Sequence, residues 1–196
     1  MGIQEDLSNC IPSVLSGDIV QLTQLPWTAN HETNYNSKQH QFELQWYGEQ
    51  LKLPYRVYYA ALKPETLEAL TERQRLIIAA LLTRHANGYV REENLALIVQ
   101  NPLPWLIPFI VQLSGEYILE IVEIIKENLE QLPKKEFVEF FKNNPGWFSI
   151  TRQRMISYWN CYDRVKPEYT KFANHPAHKI LAFYKRCLAE TELSQQ

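Results

Sequence analysis

The sequence contains few cysteines and none of the motifs that mark the common cofactor sites. Its three cysteines are widely spaced and include no Cys-x-x-Cys pair, which argues against disulfides and for reduced thiols in a cytosol. A Gly-rich phosphate loop, a Walker lysine, a His-Glu-x-x-His motif and a Gly-x-Ser-x-Gly motif are all absent. No cofactor is therefore predicted, and the sequence favours a binding protein over an enzyme.

Long apolar runs are also missing. The most apolar stretch, residues 103–113, contains Pro104 and Pro108 and is shorter than the ~20 residues that span a bilayer, so it predicts a buried helix. The first residues have neither the charged nor the apolar region of a secretion signal, and Asp6 occupies the position where a myristoylation signal has Ser or Thr. We therefore expect a cytoplasmic protein without a membrane partner.

What the sequence does contain is the composition of an ordinary globular domain. Of its 196 residues, 45% are apolar and 21% are charged, which is too apolar for a disordered chain and sufficient for one hydrophobic core. We expect an irregular N-terminal extension over residues 1–36, with a short helix within residues 6–15. A single α-helical domain is expected over residues 37–196.

The first part of that domain has a mixed pattern. Phe42, Leu44 and Trp46 alternate with polar residues as in a strand, while the neighbouring Gln and Glu residues tolerate a helix. Helix is the prediction for residues 37–59.

Helix signals are clear from Thr71 onward. Thr71-x-x-Gln74 has the form of a capping box, in which the two side chains satisfy free amides at a helix start. That helix is expected to end at Gly88, because glycine tolerates the positive φ of a C-terminal cap. Ser149 or Thr151 is expected to cap a later helix. Apolar periodicity predicts helices over residues 89–100, 104–113, 116–132, 133–142, 149–165 and 177–190.

These helices form a weak internal repeat: a helix, a glycine, an aromatic residue and a second helix. The glycine permits a sharp reversal, and the aromatic ring is expected to pack between the paired helices. Since neither helix buries its apolar stripe alone, neighbouring pairs must stack. The three joints are Gly88-Tyr89-Val90-Arg91, Gly115-Glu116-Tyr117-Ile118 and Gly146-Trp147-Phe148-Ser149-Ile150.

The first joint resembles a known family. The run from His85 to Glu92, followed by Leu95, is similar to the inter-helix turn of HEAT-like repeats in bacterial α-solenoid proteins. The resemblance covers residues 70–165 and implies an all-α fold, a short stack of antiparallel helical hairpins. It implies that Arg91 either binds a partner or bonds turn carbonyls and neighbouring glutamates. The second unit departs from the pattern, because Ile118-Leu119-Glu120 has no arginine.

Few side chains are spaced for catalysis or metal binding. His175-x-x-His178 could meet on a helix, but no nearby Cys or acidic pair completes a metal site, so no metal is predicted. Cys161 with either histidine is the one thiol and imidazole combination, and its aromatic surroundings indicate a packed helix. Cys161 and Cys187 are expected in the core. A row of glutamates predicts a solvated helix face: Glu116, Glu120, Glu123, Glu127 and Glu130.

Charge is unevenly distributed, although the formal net charge is only −2. Residues 145–190 carry eight basic and three acidic side chains, a net charge of +5, interleaved with aromatic rings. Such a mixture is used by nucleic-acid surfaces and is also found in helices with solvated lysines.

Two functions follow from these observations. The first is a non-enzymatic interaction module that offers the surface of a helical-repeat stack to a protein or peptide. The alternative is a nucleic-acid-binding protein similar to HEAT-like DNA glycosylases, which would use the basic, aromatic C-terminal part. The candidate partner-binding residues are Arg91, Arg152, Arg154, Tyr158, Trp159 and Arg164.

Overall fold

The structure is a computed structural model that describes residues 2–28 and 41–193. The described chain is mostly helical, as expected, with ten α-helices and one small two-stranded sheet. It divides into two compact units, Met1–Leu97 and Ile98–Gln196. The part of the expected extension that covers residues 29–36 lies outside the described residues, as do residues 37–40 at the start of the next predicted helix.

Unit 1 begins with two helices, whereas the prediction was an irregular extension with one short helix within residues 6–15. Helix α1 spans Ile3–Cys10, a 3-10 turn spans Ser13–Leu15, and α2 spans Ser16–Leu22. The prediction of an irregular segment is therefore wrong for this part of the chain. Each helix is amphipathic, because apolar residues spaced three apart face the core: Leu7 and Cys10 in α1, and Ile19 and Leu22 in α2.

A β-hairpin begins at Gln41, so the helix predicted over residues 37–59 is wrong for its described part, residues 41–59. Strand β1, Gln41–Trp46, pairs antiparallel with β2, Glu49–Pro54. The period-two alternation was the correct signal, because alternate side chains are buried on one face. Tyr47 and Gly48 form the turn with φ of 56° and 74°, as in the mirror-image turns that match strand twist. The buried face consists of Leu44, Trp46, Leu51 and Leu53.

Unit 1 continues with helix α3, Pro64–Glu68, and helix α4, Glu72–Leu82. The capping box is confirmed, because the Gln74 amide donates to the Thr71 hydroxyl and the Thr71 amide donates to the Gln74 side chain. Helix α4 ends at Leu82 rather than at Gly88.

The early end of α4 has a clear cause. After Leu82, the chain pairs with Val57, whose amide donates to the Arg84 carbonyl and whose carbonyl accepts from the Ala86 amide. Gly88 instead opens helix α5, Gly88–Gln100.

Unit 2 is helical throughout its described part. A 3-10 turn, Pro104–Leu106, leads into helix α6, Ile107–Ser114, in which every residue is buried. The expected buried helix is thus confirmed. The remaining helices are α7, Leu119–Asn128, α8, Lys134–Asn143, α9, Pro145–Tyr158, and α10, Pro176–Leu193. A π turn, Trp159–Asp163, extends α9, and 3-10 turns at Pro167–Tyr169 and Phe172–Asn174 precede α10.

Two helix starts differ from the predictions. Helix α7 begins at Leu119 rather than at Glu116, because Ile118 has the extended conformation of an N-cap. Helix α9 begins at Pro145, which suits a first helical turn because proline lacks an amide hydrogen. Ser149 and Thr151 therefore lie inside the helix and do not cap it.

The three glycine joints lie near helix ends, but only some of them act as expected. Gly115 follows α6 with a negative φ of −100°, and a Cβ there would lie 3.2 Å from the Arg154 Cβ, so glycine is needed for close approach. Tyr89 is 82% exposed, so the prediction that its ring packs between the paired helices is wrong. Trp147 does pack on Phe140, with ring centroids 5.5 Å apart.

Helix α10 packs on both α7 and α8. This differs from a solenoid, in which a repeat contacts only its sequence neighbours. The HEAT-like stack therefore stays a prediction.

Candidate functional site

Among the predicted partner-binding residues, Arg91 stabilises the fold instead of facing a partner. Its side chain is completely buried, and Nη1 donates to the carbonyls of His85 and Ala86 at 2.8 and 2.9 Å. Of the two roles predicted for Arg91, partner binding or bonding to turn carbonyls, these contacts match the second. Arg91 thus fixes the turn between α4 and α5, and its guanidinium is inaccessible to a partner.

Tyr158 belongs to an exposed aromatic patch on unit 2. Its ring lies 6.0 Å from that of Tyr117 and 6.1 Å from that of Tyr162, and the latter two are 5.9 Å apart. Tyr117 and Tyr162 are about half exposed. We call these three residues the tyrosine surface. Contiguous exposed rings of this kind are typical of binding surfaces.

Trp159 and Arg164 form contacts within unit 2. The Trp159 indole donates to the Tyr169 carbonyl at 2.7 Å. The Arg164 guanidinium lies 5.7 Å from the Trp159 ring centroid and donates to Asn160. These two residues therefore hold the π turn and the following loop together.

The two arginines of α9 do not converge. Arg152 and Arg154 are two residues apart, which places them about 200° apart around the helix axis. Arg154 packs beside Gly115, so it lies on the side of α9 that faces the α6–α7 joint. Arg152 lies on nearly the opposite, exposed side.

His175 is buried in a small polar cluster. Its Nδ1 accepts from the Ala177 amide, so its Nε2 carries the hydrogen and donates to Asp163 at 3.2 Å. Asp163 also accepts from Lys166 at 2.7 Å. Burial lowers the pKa of His175 although Asp163 opposes this. Both ring nitrogens are therefore occupied, and His175 has none available as a base.

The remaining thiol and metal expectations can now be placed. Cys187 is buried as expected, but Cys161 is exposed on the π turn, so its assignment to the core is wrong. Cys161 lies six positions after buried Met155, about 240° around the axis of an α-helix, so it does not continue the buried stripe of α9. Within residues 2–28 and 41–193, no three His, Cys, Asp or Glu side chains lie close enough together to hold a metal ion.

Unit 1 contains a pocket of about 430 Å³ that the sequence did not reveal. Two helices form its walls, each through residues spaced by three or four positions on one stripe. We call it the unit 1 pocket. Helix α4 contributes Arg75, Ile78 and Leu82, helix α5 contributes Val90, Glu93, Asn94 and Leu97, and residues 59–62 with Leu67 close the remaining side.

The wall over residues 59–62 is held rigidly. The Tyr59 hydroxyl donates to buried Asp6 at 2.5 Å, and its ring contacts Trp27 edge-on. His85 accepts from the Asn87 amide through Nδ1, so its Nε2–H donates to the Tyr59 carbonyl at 3.1 Å. Burial lowers the pKa of His85, and the charge of Arg91 adds to the lowering. His85 is thus a neutral part of the wall.

Three polar side chains of the pocket can form hydrogen bonds or ion pairs with a ligand. Arg75 and Glu93 are exposed at its mouth, and among the described residues neither has an ion-pair partner. Asn94 is only 8% exposed, and its side-chain amide donates to the Val90 carbonyl at 2.8 Å. The Asn94 amide oxygen accepts no hydrogen bond from the described part of the chain. An apolar interior with a few convergent polar groups is the usual form of a ligand site.

The chain was compared with protein-family models, curated proteins and solved structures, and it matched none of them. In the part of the chain that the structure describes, no helix combines the length and apolar character needed to cross a membrane.

Proposed function

We propose that this protein is a non-enzymatic binding module that takes an apolar side chain of a peptide segment, supplied by a partner protein, into the unit 1 pocket. The observation that carries the proposal is the pocket itself. Its volume of about 430 Å³ accommodates a large side chain with the adjoining backbone. Leu62, Ile78 and Leu82 provide the apolar contacts.

The polar groups of the pocket favour binding over catalysis. A histidine that acts as a general base needs a ring nitrogen free to take a substrate proton. The two nitrogens of His85 are both held by the backbone, and its pKa is lowered. Arg75, Glu93 and Asn94 offer hydrogen bonds and charge, which suit recognition of a peptide backbone.

The test is selection of displayed random peptides on the purified protein. We expect selected peptides to share a large apolar residue. Ala61→Trp fills the pocket from an exposed position in its lining, and we expect it to reduce binding of the selected peptides at least tenfold. Ala69→Trp is the matched control, because Ala69 is exposed and does not line the pocket. Equal binding by both variants would refute the proposal.

Nucleic-acid binding is the second candidate, and the tyrosine surface is the observation that favours it. Exposed aromatic rings can stack with unpaired bases, and each stacked base contributes about 1–3 kcal/mol to binding. The divergence of Arg152 and Arg154 weighs against a continuous phosphate track. The test is titration with single-stranded oligothymidine, in which Tyr162→Ala should weaken binding and Tyr89→Ala, an exposed tyrosine of unit 1, should not. Absence of binding at low salt would remove this candidate.

We further propose a cytoplasmic location, since the exposed free thiol of Cys161 suits a reducing compartment. The HEAT-like hairpin stack is kept as a proposal for residues 70–165. An experimental structure of the chain would test that arrangement.

A further inference from the structure

The unit 1 pocket has opposite chemical character on its two helical walls. On the α4 wall, Arg75 offers a cation and several N–H donors at the mouth. On the α5 wall, Glu93 and the Asn94 amide oxygen accept hydrogen bonds. The apolar side chains of Ile78 and Leu82 lie along the α4 wall beyond Arg75. A ligand that uses all of these groups needs an anion, an N–H donor and an apolar group.

The last residue of a polypeptide carries these three groups on a single Cα. Its side chain, its carboxylate and its backbone N–H point in three different directions from that carbon. We infer that the unit 1 pocket binds the free C-terminus of a partner protein that ends in a large apolar residue. This inference rests on the proposed function and specifies which part of the peptide is recognised.

Each group of the terminus has an assigned partner. The carboxylate contacts Arg75, because guanidinium binds carboxylate through paired charge-assisted hydrogen bonds. The N–H of the last residue donates to the Asn94 amide oxygen, which belongs to a residue only 8% exposed and accepts no hydrogen bond from the described chain. The side chain fills the apolar interior beside Ile78 and Leu82.

Glu93 adds a preference upstream of the terminus. It adjoins Asn94 on α5 and is exposed at the mouth, where the peptide must leave the pocket. A lysine or arginine shortly before the last residue would pair with it. An internal peptide segment could also fill the apolar interior, but it has no carboxylate for Arg75, so the free terminus binds more tightly.

The test compares fluorescein-labelled peptides of sequence Gly-Gly-Lys-Gly-Ala-Leu with a free or an amidated C-terminus, measured by fluorescence polarisation. We expect amidation to weaken binding about five- to tenfold, the effect of losing one partly exposed charge-assisted contact. Arg75→Gln should bind both peptides equally, because it cannot distinguish a carboxylate from an amide. Arg152→Gln, an equally exposed arginine in unit 2, should preserve the discrimination.

Two further variants test the α5 wall. Glu93→Gln should remove the advantage of the peptide lysine over alanine at the same position. Glu92→Gln is the matched control, because Glu92 is the neighbouring acid on α5 and does not line the pocket. Asn94→Ala should weaken the free-acid and amidated peptides by the same factor, since both retain the N–H. All variants are first checked for wild-type thermal unfolding.

The outcomes separate this inference from the proposed function. If the free-acid and amidated peptides bind equally and Ala61→Trp still weakens binding, the pocket recognises an internal peptide segment. The inference about the free C-terminus is then wrong. If free leucine competes as well as the peptide does, the ligand is a small molecule, and the inference is also wrong. If neither peptide binds, or Ala61→Trp has no effect on binding, both the inference and the proposed function are wrong.

Discussion

The side chain of Arg91 shows what one buried cation does for the turn after α4. The carbonyls of His85 and Ala86 point toward it and would otherwise lack a donor at that side. Burial lowers the pKa of neighbouring His85 and the charge of Arg91 adds to the lowering, so His85 remains neutral between the Tyr59 carbonyl and the Asn87 amide. One arginine thus orders a turn and adds to the effect of burial that keeps His85 in the adjacent wall of the pocket neutral.

Replacement of Arg91 by alanine should therefore destabilise unit 1. Two carbonyls lose a charged donor, and a cavity replaces a large side chain, so we expect a loss of roughly 3 kcal/mol in the free energy of unfolding. Urea denaturation measures it. Glu92→Ala, next along α5 and only partly buried, should change stability by less than about 0.5 kcal/mol. Similar stabilities for both variants would contradict the structural role.

His85 should make stability depend on pH. Its pKa in the folded protein lies below the ordinary value of 6.5, so the unfolded chain binds a proton that the folded chain does not. The free energy of unfolding should therefore fall as pH decreases from about 6.5 toward the lower, folded pKa. His175 contributes in the same direction. Urea denaturation at several pH values would show this slope.

The control for that slope is a pair of glutamine variants. His85→Gln should reduce the pH dependence and leave the part due to His175. His175→Gln should remove the part due to His175 and leave the part due to His85. A slope in His85→Gln equal to that of the wild type would show that His85 titrates normally in the folded protein.

Secondary-structure elements were predictable where a local signal had a single physical meaning. The Thr71 and Gln74 capping box marked the start of α4 because both hydrogen bonds involve residues three apart. The hairpin was missed because its turn contains Tyr47 where asparagine or aspartate is usual before glycine.

The candidate site illustrates the limit of such local signals. The unit 1 pocket is built from three separate segments, so its assembly depends on tertiary packing that no local pattern encodes. The spacing of Arg75, Ile78 and Leu82 on one stripe of α4 was the available signal. The tyrosine surface was predictable only in part, since Tyr158 was a candidate and its neighbours Tyr117 and Tyr162 were not.

The turn of the hairpin makes a prediction at the scale of this element. Gly48 has a φ of 74° and open space around its Cα, so an added methyl group would meet no atom but would strain the backbone. Gly48→Ala should therefore cost about 1 kcal/mol of stability. Gly146→Ala is the matched case, because Gly146 also has open space but lies in the first turn of α9. That variant should be neutral or stabilising, by up to about 1 kcal/mol, in urea denaturation.

At the scale of the whole molecule, the two units differ in how they use their polar and reactive groups. Unit 1 buries cations such as Arg84 and Arg91 against carbonyls. Unit 2 has three residues of the predicted acidic row on α7, Glu120, Glu123 and Glu127, whereas Glu116 is buried before the helix, so its assignment to a solvated face is wrong. With the basic side chains of α9 and α10, the acidic residues of unit 2 keep its charge nearly balanced. The cysteines are distributed across both units, and their burial differs sharply.

This difference gives a prediction for thiol reactivity. The thiolate is the reactive form, and burial raises the pKa of Cys10, while Cys187 is only 1% exposed. Cys161 is exposed on the π turn. The native protein should therefore react rapidly with Ellman's reagent at one thiol, and the urea-unfolded protein at all three. Cys161→Ser should remove the rapid reaction, whereas Cys187→Ser should preserve it. Rapid reaction of a second thiol in the native protein would mean that α1 or α10 opens readily, because these helices hold the two buried cysteines.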